Sequence, residues 1–317
     1  MSHKSMKDLL ASAPKNWGRW GPDDELGSLN FLTHQEVLRG IQSVRLGEVY
    51  TLGELIANPK GEPVFPGRTG ALKFMTQDKS YYKSGKSNSL PGGGEYSDDG
   101  ITMYLQGSTQ YDAMGHFWYD DHIWNGYSAD TTMGGMEKAS IVPIGEKGVV
   151  GRGVLLDMPR IRGKSRLDKG EEITLQDIKD AASKQGVVIE KHDILVIRTA
   201  FLQSFYEQSR EEFYDGLNEP GMTYSPELVQ WFHQMEIPAL CTDTMANEMT
   251  VHPESKVLLP LHCALLRNLG IAFNEICNLE KLAAACDRHR KYDFLYVGAP
   301  LKVYRGTGAP VNPVAIL

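Results

Sequence analysis

The 317-residue sequence has no uninterrupted apolar run near the roughly 20 residues that a membrane span needs. Its opening, MSHKSMKDLLASAPKNW, holds no apolar core of signal-peptide length. The chain reads as neither secreted nor inserted, and a cytoplasmic location is expected. Cysteine is scarce. Cys241, Cys263, Cys277 and Cys286 form no C-x-x-C pair and no other zinc-ligand spacing, so they read as reduced, buried thiols that suit a reducing compartment. An excess of positive charge is also lacking: 33 Lys and Arg face 40 Asp and Glu, a formal net charge of −7. The basic residues are scattered, which excludes an electrostatic footprint for nucleic acid. Gly145, Gly148, Gly151 and Gly153 lack the Lys-Ser/Thr ending of a phosphate loop.

What is present is an ordinary globular composition, 41% hydrophobic, ample for a buried core. No repeat is visible, so the expectation is one domain over 1–317, with residues 1–60 as an N-terminal extension packed on it. A helical pattern runs from Thr33 to Ile41. Residues 83–100, with Pro91-Gly92-Gly93-Gly94 inside, are nearly devoid of apolar side chains and predict a mobile loop. Ile101, Met103 and Leu105 alternate with polar residues, the pattern of a half-buried strand. Apolar runs at 153–157, 194–198, 238–242 and 294–299 read as strands. Helical stretches at 175–184, from Ser225, from about Leu261 and at 279–288 are interspersed with them. The class is mixed α/β.

Between residues 106 and 116 the chain reads Gln-Gly-Ser-Thr-Gln-Tyr-Asp-Ala-Met-Gly-His. Gln106, Gln110, Asp112 and His116 are spaced by two or four, so in extended backbone their side chains leave on one face. That pattern fits converging ligands, and it fits the solvated face of a strand equally well. Phe117, Trp118, Tyr119, Trp124 and Tyr127 follow. Trp118, Tyr119, Trp124 and Tyr127 are candidate walls for a small flat ring, with core packing as the alternative. His122, in an acidic turn, reads as solvated.

Residues 106–116 resemble the signature His-x-Gly-Thr-His-x-Asp-x-Pro-x-His of the cyclase, or kynurenine formamidase-like, family of metal hydrolases. Thr109, Asp112 and His116 match in register. Gln106 and Gln110 stand where the family places two metal-binding histidines, Ser108 replaces Gly, and Met114 replaces Pro. Residues 17–30, Ala299-Pro300-Leu301 and residues 308–313 resemble the longer members, so the likeness spans nearly the whole chain.

The resemblance implies a swivelling β/β/α fold, a barrel-like mixed sheet wrapped by helices, assembled as a homodimer or larger. It also implies metal ligands at Asp112, His262 and Glu275, completed by Gln110, with Gln106 less certain. One divalent cation is expected, zinc with manganese as the alternative, because an amide oxygen is a weaker donor than imidazole. His116 is then the proton carrier, its ordinary pKa near 6.5 suiting both directions of transfer. The long form with glutamine at the metal site resembles the trans-dienelactone hydrolases, which implies opening of a lactone to maleylacetate in (chloro)aromatic breakdown. Cyclic or aryl amide hydrolysis, of the formylkynurenine or isatin kind, is the alternative. A non-catalytic binding protein with a degraded metal site is the reading from a different class.

Overall fold

Three of the expected strands, at 153–157, 194–198 and 238–242, form the parallel centre of one nine-stranded sheet together with Ala272–Glu275, which the sequence did not announce, while the run at 294–299 joins it antiparallel. The computed structural model describes residues 5–317, so the first four residues of the expected N-terminal extension lie outside the described residues. In chain order the strands of the main sheet are β1 (Val49–Thr51), β2 (Gln110–Asp112), β3 (Val149–Asp157), β4 (Ile194–Arg198) and β5 (Ala239–Thr242). They continue with β6 (Ala272–Glu275), β7 (Asp293–Gly298), β8 (Gly308–Pro310) and β9 (Val314–Ile316). Their lateral order is β1-β9-β7-β3-β4-β5-β6-β2-β8. From β3 to β6 the neighbours are parallel, with Val154 opposite Leu195, Val196 opposite Cys241 and Leu240 opposite Phe273. All five residues of β4 and all four of β5 and of β6 are buried, as expected of parallel strands covered on both faces. The flanking pairs are antiparallel, and the sheet curls into a half-barrel wrapped by helices.

The helices start where the sequence supplies caps. α1 (His34–Ser43) opens on Thr33, whose side chain accepts from the Gln35 amide while Glu36 reaches back, a capping box. It packs on β3 and β7 so closely that a Cβ on Gly40 would meet the Gly151 backbone at 2.7 Å. α2 (Leu175–Gln185) opens on a second such box, Thr174 with Asp177, and stops at Gly186 in the left-handed region. α3 (Pro226–Met235) begins with Pro after Ser225, which accepts from the Leu228 amide. α4 (Glu280–His289) precedes β7. Among the described residues, no helix is long and apolar enough to cross a membrane.

One expected strand is corrected. The alternation at 101–106 does not make a half-buried strand leading into the site. Asp98–Thr102 pairs instead with Leu72–Gln77 in a separate two-stranded ribbon, and pairing stops at Thr102. Ile101 is 49% exposed and Phe74 51% exposed, so neither face of that ribbon is buried by the rest of the chain. The loop expected over 83–100 is correspondingly shorter, since a helical turn covers Lys79–Lys83 and the strand begins at Asp98.

Candidate metal centre

The site grows from a cross-strand pair. Gln110 of β2 lies directly opposite Glu275 of β6, and its side-chain amide donates to Glu275 Oε2 at 2.8 Å. Asp112 is two residues further along β2, on the same face as Gln110. His262 arrives from the helix preceding β6, at the first residue of a π-helical stretch, His262–Arg267. Such stretches widen a helix by one residue per turn and recur at functional sites. All four side chains are buried.

Ligand atoms of Asp112, His262 and Glu275 lie within 4.8 Å of one another. Behind His262, Glu248 accepts its Nδ1 at 2.6 Å and the backbone amides of Leu261 and His262 at 2.7 Å each. That fixes the ring so that Nε2 faces Glu275 Oε1 at 3.4 Å. Asn247 adds a hydrogen bond to the same oxygen at 3.3 Å. Two buried oxygens are left over: Asp112 Oδ1 and Gln110 Oε1 have no hydrogen-bond partner. An unsatisfied buried carboxylate oxygen is costly, and a divalent cation is the group that satisfies it among two carboxylates and an imidazole. The donor set therefore fits a metal, with a carboxylate-backed histidine of the usual kind.

Burial and the Asp112 charge push the Glu275 carboxyl up to about 7, against the pull of His262 and Arg68. Burial opposes the charge on His262, but hydrogen bonds to Glu248 and Glu275 overcome it and hold the imidazolium up at about 10. His116 is lowered, first by burial and then by Arg68 and His262, with Asp112 opposing.

A cavity of about 90 Å³ opens on the centre, lined by Asp112, His262, Glu275, His116, Phe117 and Arg68, with Phe65, Met245, Ala246 and Leu259. Phe117 meets His262 edge-on at 5.2 Å between centroids. Larger depressions exist elsewhere on the surface, but they contain none of these groups.

The structure brings Gln110, Asp112, His116, His262 and Glu275 together. Gln106 lies apart, with its amide on Thr307 Oγ1 at 2.9 Å. The aromatic run is dispersed, and here the expectation is corrected. Trp124 is completely buried in the core with its indole N–H on the Asp24 carbonyl at 3.0 Å, so it cannot meet a ligand. Tyr127 points to the same carbonyl and carries Lys138 over its ring. Tyr119 lies under the Arg267 guanidinium, 3.9 Å from its centroid, and Trp118 is 40% exposed. None of the four lines the cavity; Phe117 and Phe65 do. Sequence reasoning missed Phe65, Arg68 and Glu248. Nothing in the sequence singles out Glu248, which stands in a stretch with several other buried polar residues, Thr242, Asp243, Thr244, Asn247 and Thr250.

The Cyclase family model matches residues 35–249. The chain belongs to the cyclase family. The crystal structure of a novel cyclase matches 96% of this chain and 100% of its own at 32% identity, with a TM-score of 0.87. Isatin hydrolase A from Labrenzia aggregata, bound to benzyl benzoate, is 20% identical over 91% of this chain and 98% of its own, with a TM-score of 0.60. A predicted metal-dependent hydrolase from Bacillus stearothermophilus is 16% identical over 84% and 97%, with a TM-score of 0.52. These last two likenesses concern the fold. No match is found among curated proteins. The matched span of this cyclase-family chain includes Gln110, Asp112, His116 and Glu248 and ends before His262 and Glu275. Nothing among these comparisons supports the finer likeness to trans-dienelactone hydrolases.

Proposed function

We propose that this chain is a metal-dependent hydrolase that opens a small cyclic amide, with Asp112, His262, Glu275 and Gln110 holding one divalent cation, zinc or manganese. The observation that carries the reading is the convergence of three ligand atoms beside two unpartnered oxygens, with the His116 side chain at the same cavity. A bound divalent cation supplies Lewis acidity, which raises the acidity of water and polarises a carbonyl. His116 removes the proton from the attacking water and returns it to the departing nitrogen. Phe65 and Phe117 offer apolar surface to a flat ring. Glu248 keeps His262 in the tautomer that exposes Nε2.

Isatin hydrolases among the structural neighbours support a cyclic amide over the lactone expected from the sequence. A panel of cyclic imides, lactones and formyl amides, assayed with zinc and with manganese, tests this. Turnover of lactones alone would replace the substrate class and leave the mechanism standing; no turnover of any member would remove the hydrolase reading. Assembly as a homodimer or larger homo-oligomer is part of the proposal, supported by the exposed Leu72, Phe74 and Ile101 of the ribbon. Sedimentation of the purified chain checks it.

A further inference from the structure

Arg68 is the one group lining the cavity whose charge the metal centre does not use. It is held on a braced loop. Glu62, buried at the base, accepts the amides of Ala57 at 3.0 Å and Ala71 at 2.6 Å. Val64 is tied through both its backbone groups to the Tyr214 hydroxyl, at 3.1 and 2.8 Å. The loop thus sets Arg68 in place before any ligand arrives.

Of the five N–H donors on its guanidinium, one is engaged, by the Gln106 carbonyl at 3.3 Å. The guanidinium lies 5.9 Å from the Phe65 ring centroid, and no carboxylate among the described residues pairs with it. A half-buried guanidinium with one protein hydrogen bond keeps its other N–H groups open to the cavity and to solvent, where a ligand can take them. Asp112 and Glu275, the acids facing it, are the pair a divalent cation would balance. Arg68 then presents positive charge, in a planar fork, to whatever occupies the cavity.

We propose that Arg68 binds a carboxylate carried by the substrate, so that the natural substrate is a flat cyclic amide bearing a carboxylate beside its ring. The inference rests on the hydrolase reading above and names the substrate class of that site. The ring lies against Phe65 and Phe117, its acyl carbonyl at the Asp112, His262 and Glu275 end, its carboxylate on the Arg68 fork. A guanidinium and a carboxylate form two parallel charge-assisted hydrogen bonds, a geometry that a lysine ammonium does not reproduce.

The test compares phthalimide with 4-carboxyphthalimide, rings of the same kind that differ by one carboxylate. Two quantities are read for each: kcat/KM with the metal-loaded chain, and Kd by calorimetry with the metal-loaded His116→Ala chain, which holds the imide without turning it over. The wild-type chain is expected to prefer the carboxylated imide on the order of ten- to hundredfold, the worth of a charged hydrogen-bonded pair. Arg68→Met should bring that ratio to about one, and Arg68→Lys should leave it in between. Because each ratio is taken within one protein, a partly unfolded variant changes both members and not their quotient. A wild-type ratio near one, or a ratio that survives in Arg68→Met, overturns the proposal. If neither imide is hydrolysed, the hydrolase reading fails for this ring while the calorimetric ratio still decides the role of Arg68.

Discussion

The Nδ1 of His262 sits 2.6 Å from Glu248 Oε1, and that same carboxylate oxygen also accepts the His262 backbone amide. One acid therefore fixes both the start of the π-helical stretch and the orientation of the ring that caps it. Glu248→Gln keeps the shape but removes the charge behind the imidazole. Metal affinity is expected to fall about 10- to 100-fold, the usual cost of losing such a partner. Competition against a chromophoric chelator measures it, and an unchanged affinity would place His262 outside the centre.

Gln110 is the departure at the centre from the signature the rest of the motif resembles. Its amide oxygen is unpartnered while its nitrogen holds Glu275. Gln110→His exchanges a weak amide donor for imidazole, and tighter binding of zinc is expected, by about tenfold. The same chelator competition reads it. Weaker binding would mean that the hydrogen bond to Glu275 matters more than the donor.

Glu219 lies below the site, fully buried, accepting the Met245 amide at 2.8 Å with one oxygen and offering the other to nothing. Burial first, then the nearby charges of Glu275 and Asp243, push its carboxyl up to about 8, against the Met245 hydrogen bond and His262. A raised folded pKa means that the native state binds the proton more tightly than the unfolded chain. Stability is then full below the ordinary carboxylate range and declines as pH rises toward 8, by about 1.4 kcal/mol per pH unit for one proton. Glu219→Gln should flatten that decline in urea melts of the chelator-treated protein between pH 5 and pH 8. An identical slope in the variant would show that another group controls it.

Trp124 serves the core and not the cavity. Trp124→Ala is expected to cost about 3–5 kcal/mol of stability, in the range for a buried large aromatic. Metal content of the folded fraction should be unchanged. Loss of ligand affinity at unchanged melting temperature would restore Trp124 to the binding site.

The strands and capped helices were legible because each rests on local chemistry. Apolar runs at 194–198 and 239–242 have no other use than a covered strand, and Ser225 before Pro226 announces its helix, whereas the capping boxes at Thr33 and Thr174 emerge only from the structure. Asp112 and Gln110 were legible as neighbours on one face for the same reason. Their pairing with Glu275 was not, since only the β2–β6 register brings residues 110 and 275 opposite each other. The aromatic walls were misplaced because closeness to the motif in sequence does not place a side chain at the cavity. Asp120, Asp121 and Asn125 adopt positive φ, at 56°, 52° and 58°, and these turns swing Trp124 into the core. The strand expected at 101–106 failed for a related reason: its alternation faces solvent on both sides of a ribbon.

In the proposed function Asp112, His262 and Glu275 hold a metal, and His116 carries the proton without holding it. Metal content by mass spectrometry, on wild type, His116→Ala and Asp112→Asn purified without chelator, tests it most directly. About one zinc or manganese per chain is expected in wild type and in His116→Ala, with hydrolysis abolished in the latter and metal lost in Asp112→Asn. A wild-type stoichiometry near zero, not rescued by added zinc or manganese, would contradict it.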